Sequence, residues 1–214
     1  MDSTIQALVI SLPILFISMS IHEVMHAVVA DWLGDPTARL MGRISLNPVR
    51  HIDPFFTLLL PLLLILTKAP VVFGAAKPVQ VDFRRLRYGE FGGALVGMSG
   101  PLTNLAIAAL AALIFNITNP GSELSYKILG LTIFINAGFF VFNSIPWPPL
   151  DGSRLLYAFA PRPLQEFMES IERFGIMGLA LFILIFYSFS PIITSLVQGL
   201  VNILAPSLSI NALF

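Results

Sequence analysis

The chain of 214 residues has no cysteine, which excludes disulfide staples, thiolate zinc sites, iron–sulfur clusters and a cysteine nucleophile. It is also poor in charge. Only 11% of its residues are Asp, Glu, Lys or Arg, under half the roughly 25% of a soluble domain. The 12 basic residues balance 12 acidic ones, so no basic face is available to grip nucleic acid and no such partner is expected. Repeats, low-complexity tracts and linkers are lacking too, and residues 1–214 read as a single domain. What is abundant is apolar: 56% of residues, with a mean hydropathy of +0.85. The chain reads as an integral membrane protein whose first partner is the lipid bilayer. Any metal it holds must be bound by His, Asp or Glu.

Apolar segments cover residues 5–30, 55–67, 91–117, 124–145, 174–189 and 192–205. A spanning helix needs about 20 apolar residues, so 55–67 and 192–205 read as re-entrant or short pieces. The first segment carries Pro13, which kinks a membrane helix without ending it. It lacks a basic start and a small-residue cleavage site, so it is expected to stay in the mature protein rather than leave as a signal peptide. Gly93 and Gly97 in 91–117 have the spacing that allows close helix packing in lipid. Residues 37–46 alternate apolar and polar, the periodicity of a strand, and 77–81 is a second extended candidate with Pro78 confining it to an edge. The expected fold is therefore all-α: a polytopic helical membrane bundle of about four full spans plus one or two re-entrant or short segments, with a small membrane-associated β-hairpin or sheet.

Basic residues fall in three stretches, at 31–54, 68–90 and 147–173, with Lys127 alone elsewhere. Cytoplasmic loops collect Lys and Arg. That rule puts the N-terminus outside, runs the first and the 124–145 helices inward, and requires 55–67 to dip and return.

His22, Glu23 and His26 form an HExxH motif inside the first helix. Residues four apart share a helical face, so both imidazoles can grip one zinc ion while Glu23 reaches a water beside it. At about 1.5 Å per residue, His26 lies roughly 7 Å and His22 roughly 13 Å inside the helix end near Asp31. Ionisable groups at such depth are costly and mark function. A catalytic zinc usually takes three protein ligands. Spacing leaves the third open among Asp151, His51 and Asp53. Asp151 closes the run Asn143-Ser144-Ile145-Pro146-Trp147-Pro148-Pro149-Leu150-Asp151-Gly152, whose prolines and glycine suit a turn folding back to the imidazoles.

HExxH in an early membrane helix followed by that NxxPxPxLDG-type run resembles the site-2 protease family of intramembrane zinc metalloproteases. Gly42-Arg43-Ile44-Ser45-Leu46-Asn47-Pro48 leading to His51-Ile52-Asp53-Pro54, then Gly74-Ala75-Ala76-Lys77-Pro78-Val79, then Ser99-Gly100-Pro101-Leu102-Thr103-Asn104, are similar to the short bacterial members without PDZ or CBS domains. The likeness covers residues 20–155. It implies that His22, His26 and Asp151 bind one Zn²⁺ per chain, that Glu23 is the base, and that Asn143 helps hold the substrate backbone. It also implies a location in the prokaryotic inner membrane.

The activity so expected is hydrolysis of peptide bonds within or near the transmembrane helix of a membrane-protein substrate, at a site open to the cytoplasm. Zinc chemistry would activate water, and Glu23 would take and return its proton. An unwound substrate could pair as an added strand against Lys77, Pro78, Val79, Gln80 and Val81. His51 could stabilise the oxyanion or support a zinc ligand, or sit at the surface paired with Asp53. The rival reading is a zinc-binding membrane protein without proteolysis, a carrier or a helix-binding scaffold. The sequence names neither the substrate nor the oligomeric state.

Overall fold

A computed structural model of the chain describes residues 3–51, 53, 54, 59, 77–174 and 176–214; for 3–5 and 176–187 it describes the backbone alone. Among these residues there are seven α-helices: α1 (Ser3–Trp32), α2 (Thr37–Leu40), α3 (Glu90–Thr118), α4 (Glu123–Asn143), α5 (Gly152–Phe159), α6 (Arg162–Arg173) and α7 (Ile176–Leu204). Three carry stretches long and apolar enough to cross a membrane: Gln6–Trp32, Glu90–Thr118 and Glu123–Asn143. These match the segments read at 5–30, 91–117 and 124–145.

The three pack with small residues between them. Ala111, Ala112 and Phe115 of α3 meet Leu131, Ile133 and Ala137 of α4, and Val197 and Val201 of α7, with Ala205 just beyond it, complete the cluster. In lipid, association rests on close packing rather than on water exclusion, and small side chains permit it. Polar contacts set the directions. Gln6 Oε1 accepts from Lys127 Nζ at 3.0 Å and Ser18 Oγ from Asn136 Nδ2 at 2.9 Å, so α1 and α4 run parallel. His26 lies against Val96 and His22 against Asn104, so α3 runs the other way. The C-terminal end of α1, the start of α3 and the end of α4 therefore share one end of the bundle. The basic residues of 39–50, 84–87 and 154–173 attach at that end; Lys127, buried and paired with Glu123 at 2.9 Å, is at the other.

Two expectations are corrected. Among the described residues there is no strand, and 37–46 does not alternate into a sheet. The buried carboxylate of Asp35 accepts from Thr37 N at 3.1 Å and from Thr37 Oγ1 at 2.5 Å, while Pro36 (φ −79°) has the dihedral a helix start requires. This turn leads into α2 at Thr37–Leu40 and leaves Leu40 and Leu46 exposed, so the alternation lines no buried face. Residues 77–81 likewise make no ladder among the described residues; their amides go to His51 O and to Glu23, as set out below. The second correction concerns 174–205, read as two pieces. The backbone runs unbroken as α7 through Pro191, since a membrane helix tolerates a proline whose lost hydrogen bond its surroundings offset. Among the described residues there are three candidate spans, with Ser188–Leu204 of α7 a shorter apolar stretch; the rest of the segment read at 174–189 falls largely on residues whose side chains lie outside the described ones. The segment 55–67 lies outside the described residues apart from Leu59.

Candidate metal centre

α1 turns His22, Glu23 and His26 toward one side, with both histidines buried and Glu23 half-buried. The third group arrives from 129 residues away. After α4 ends at Asn143, the chain doubles back through tight turns, with Trp147 N bonded to Ile145 O at 2.8 Å and Leu150 N to Trp147 O at 2.9 Å; the Pro148–Pro149 peptide is cis. Gly152 makes the closure possible: a Cβ there would lie 2.4 Å from Ser144 O. Gly97 of α3 then lets the turn settle against the bundle, because a Cβ at 97 would lie 2.9 Å from Asp151 O and from Arg154 Cβ. The Gly93–Gly97 pair thus receives Phe83 and the Asp151–Arg154 turn of the same chain.

The outcome is a tight cluster. Asp151 Oδ2 is 3.0 Å from His22 Nε2 and 3.4 Å from His26 Nε2, and the two Nε2 atoms are 3.0 Å apart. A tetrahedral zinc with bonds of about 2.0–2.1 Å sets its ligand atoms about 3.3 Å apart, so the spacing fits. Tautomer chemistry fits as well. His26 Nδ1 lies 2.8 Å from Val96 O, which can only accept, so His26 carries its proton there and offers a lone pair at Nε2. His22 Nδ1 is held by Asn104 Oδ1 at 2.5 Å. Gly100 leaves the space in front of both rings open, since its added Cβ would meet His26 Nε2 at 2.5 Å and His22 Nε2 at 2.6 Å. An anionic oxygen and imidazole nitrogens, with no sulfur, form a donor set that suits zinc.

A cavity of about 290 Å³ opens beside the cluster, with Glu23, His26 and Asp151 on one wall and Pro78, Val79 and Phe83 on another. Val79 N–H donates to Glu23 Oε2 at 3.1 Å across it. The strap carrying Val79 is tied at both ends: Lys77 N donates to His51 O at 2.8 Å, and Asp82 N to the buried carboxylate of Asp35 at 2.7 Å.

Of the candidates for third ligand, Asp151 joins the histidines and His51 and Asp53 do not. His51 is fully buried in the 3₁₀ turn Pro48–His51, its Nε2 bonded to Ser45 O at 2.7 Å and its Nδ1 without a hydrogen-bond partner. It does not line the cavity, nor does Asn143, whose amide donates to Phe139 O at 3.1 Å within its own helix. The sequence reading gave no role to Gly100, Asn104, Asn136 or Asp35. The two asparagines did carry a signal, being amides in the middle of apolar helices where an unpaired polar group is costly.

Known proteins bear the same stamp. No family model and no solved structure matches the chain. It is 34% identical over 178 residues to "Putative zinc metalloprotease YwhC" of Bacillus subtilis, an alignment covering 79% of this chain and 78% of the relative. It is 27% identical over 164 residues to "Putative zinc metalloprotease Rip2" of Mycobacterium tuberculosis H37Rv, covering 76% of this chain but 62% of that relative. The Mycolicibacterium smegmatis protein of the same name is 26% identical over 161 residues, 75% of this chain and 61% of its own length. A likeness that runs through most of both chains, with the first of these relatives above all, makes this protein a member of the site-2 protease family of zinc metalloproteases.

Proposed function

We propose that the protein is an intramembrane zinc endopeptidase that cleaves the transmembrane segment of another membrane protein from a prokaryotic inner membrane, through a site open to the cytoplasm. The observation that carries this reading is the meeting of His22, His26 and Asp151 beside a cavity walled by Glu23, all set in a bundle of apolar helices. A carrier would need the ligands but has no use for a carboxylate at the base position.

One zinc per chain would sit on His22 Nε2, His26 Nε2 and an Asp151 oxygen. The chemistry such an ion supplies is Lewis-acid activation of a water and of the scissile carbonyl. The chain's own residues do the rest. Glu23, on the cavity wall, takes the water proton and returns it to the leaving amine. The 77–81 strap offers main-chain groups to an unwound substrate, which would otherwise hide its peptide bonds in its own helix. Arg154 and Phe83 close the cavity away from the imidazoles, the guanidinium stacked 4.5 Å above the ring. Asn143 is placed for substrate contact only if its amide leaves Phe139 O.

The test is zinc content together with cleavage of a single-helix membrane substrate by the full chain in lipid nanodiscs. Wild type is expected to hold about one zinc and cut, and Glu23→Gln to keep the zinc and lose turnover by 100-fold or more, roughly the 10²–10⁴ span of acid–base catalysis. A zinc-loaded wild type that cuts nothing across a panel of helical substrates would overturn the proposal in favour of a carrier or scaffold.

A further inference from the structure

Behind His22 a line of buried polar side chains crosses three helices. His22 Nδ1 meets Asn104 Oδ1 of α3 at 2.5 Å; Asn104 Nδ2 donates to Asn136 Oδ1 of α4 at 2.8 Å; Asn136 Nδ2 donates to Thr132 O at 2.9 Å and to Ser18 Oγ of α1 at 2.9 Å. Both asparagines are fully buried and Ser18 nearly so. Amides in such a place are expensive unless satisfied, and nothing about packing α1, α3 and α4 calls for them where alanines serve elsewhere along the same helices.

The direction of the line is fixed from its far end. Thr132 O belongs to the main chain and can only accept, so the atom of Asn136 facing it must be the NH₂ group. Asn136 therefore presents its oxygen to α3, which draws the NH₂ of Asn104 and leaves Asn104 Oδ1 facing His22. An amide oxygen only accepts, so His22 must carry a proton on Nδ1, which leaves Nε2 as the nitrogen that faces His26 and Asp151 and is available to a metal. His26 obtains the same tautomer directly from the carbonyl of Val96. The two ligands reach one state by different routes, one through a main-chain group that no substitution removes and one through two asparagines.

We infer that Asn104 and Asn136 are positioning residues that set the tautomer and ring orientation of His22 for metal binding, with Asn136 acting at one remove through the orientation of the Asn104 amide. This rests on the zinc reading of the cluster only for its consequence, not for the tautomer itself. Without Asn136, Asn104 is free to turn over and offer its NH₂ to Nδ1, which places the imidazole proton on Nε2 where the metal must bind. Asp at 104 cannot make that error, because both its oxygens accept.

The test uses the full chain in nanodiscs with two readouts: Zn²⁺ affinity by chelator competition, and the ¹⁵N shifts of the chain's 3 histidines in the metal-free protein. Wild type should show His22 protonated at Nδ1. Asn104→Ala should weaken zinc about 10- to 100-fold and Asn136→Leu about 10-fold, the range usual for partners behind a ligand. In Asn136→Leu, His22 should also show an unprotonated Nδ1. Adding Asn104→Asp to Asn136→Leu should restore zinc to within about threefold of wild type and return the proton to Nδ1. Ser20→Ala serves as control; its hydroxyl, equally buried on α1, bonds only Phe16 O at 2.7 Å, and zinc should not change. Unchanged zinc affinity in a folded Asn136→Leu, or a loss that Asn104→Asp does not repair, overturns the inference. The wild-type spectrum decides even if Asn136→Leu does not fold: an unprotonated Nδ1 of His22 overturns it. A wild type with the Nδ1 tautomer that binds no zinc would instead remove the metal reading and leave the hydrogen-bond direction standing.

Discussion

Gly100 on α3 stands so close to His22 on α1 that a Cβ built on it would lie 2.6 Å from the ring's Nε2, and 2.5 Å from that of His26. The main chain of α3 thus forms a wall of the ligand cluster, at the point where a zinc ion would be seated.

Gly100→Ala separates the helix from the site. In a helix interior, alanine is favoured over glycine by about 1 kcal/mol, so helix content should hold or rise. The methyl nevertheless enters the space shared by the two Nε2 atoms, and neither the α3 backbone nor two buried rings can move aside cheaply. Zinc content by elemental analysis should drop at least tenfold with an unchanged far-ultraviolet circular dichroism spectrum. Retention of zinc would show that the ion binds elsewhere.

The pair His22 and His26 was legible because i, i+4 spacing is local geometry that any helix delivers. Spacing left Asp151 level with His51 and Asp53, since its position depends on how residues 144–151 fold back, and only the family resemblance singled it out. The strand read at 37–46 failed for a physical reason: the buried carboxylate of Asp35 bonds Thr37 and turns the chain into a short helix, and the alternation buries only Ala38. The three long membrane helices were readable to within a few residues, because hydropathy over 20 residues integrates many small signals. Gly100 and Asn136 carry their meaning only in the register of α3 against α1 and α4, which no single segment contains.

Gly152→Ala tests the turn that delivers the third ligand. Its Cβ would meet Ser144 C and O at 2.5 and 2.4 Å, both main-chain atoms, so the turn must open. Overpacking of this kind costs about 1–3 kcal/mol. Asp151 is the next residue and should be displaced with it. Zinc should be lost from a bundle that melts a few degrees lower; an unchanged melting temperature with full zinc would show that the turn tolerates a side chain.

Removing the metal should leave the helices in place. The core of Ala111, Ala112, Phe115, Leu131, Ile133, Ala137 and Val201 contains none of the three ligands, and Lys127 ties α4 to Gln6 of α1 at the opposite end. Chelation should therefore abolish cleavage while helical circular dichroism stays within a few per cent, and added Zn²⁺ should restore turnover. Collapse of the helical signal on chelation would mean that the metal holds the bundle together.

Asp35 offers a way to loosen the strap over the cavity without touching a ligand. Its fully buried carboxylate accepts Asp82 N at 2.7 Å and both the amide and the hydroxyl of Thr37, so Asp35→Ala strands up to three donors at about 1–3 kcal/mol for a buried unsatisfied group. The neighbouring Arg84 and Arg85 are exposed on the turn Phe83–Arg85, where trypsin can cut once the segment loosens. Cleavage there should quicken about tenfold, in line with a loss near 1.4 kcal/mol if local opening limits the rate. Zinc content should not change, because His22, His26 and Asp151 are held by α3 and the 144–152 turn. Proteolysis of the membrane substrate should fall through a higher KM more than a lower kcat, since the strap is the surface an unwound substrate would pair with and Glu23 remains on α1. A fall in kcat alone would instead point to the Val79 N–H bond to Glu23 as the contact that matters, with the strap serving the base rather than the substrate.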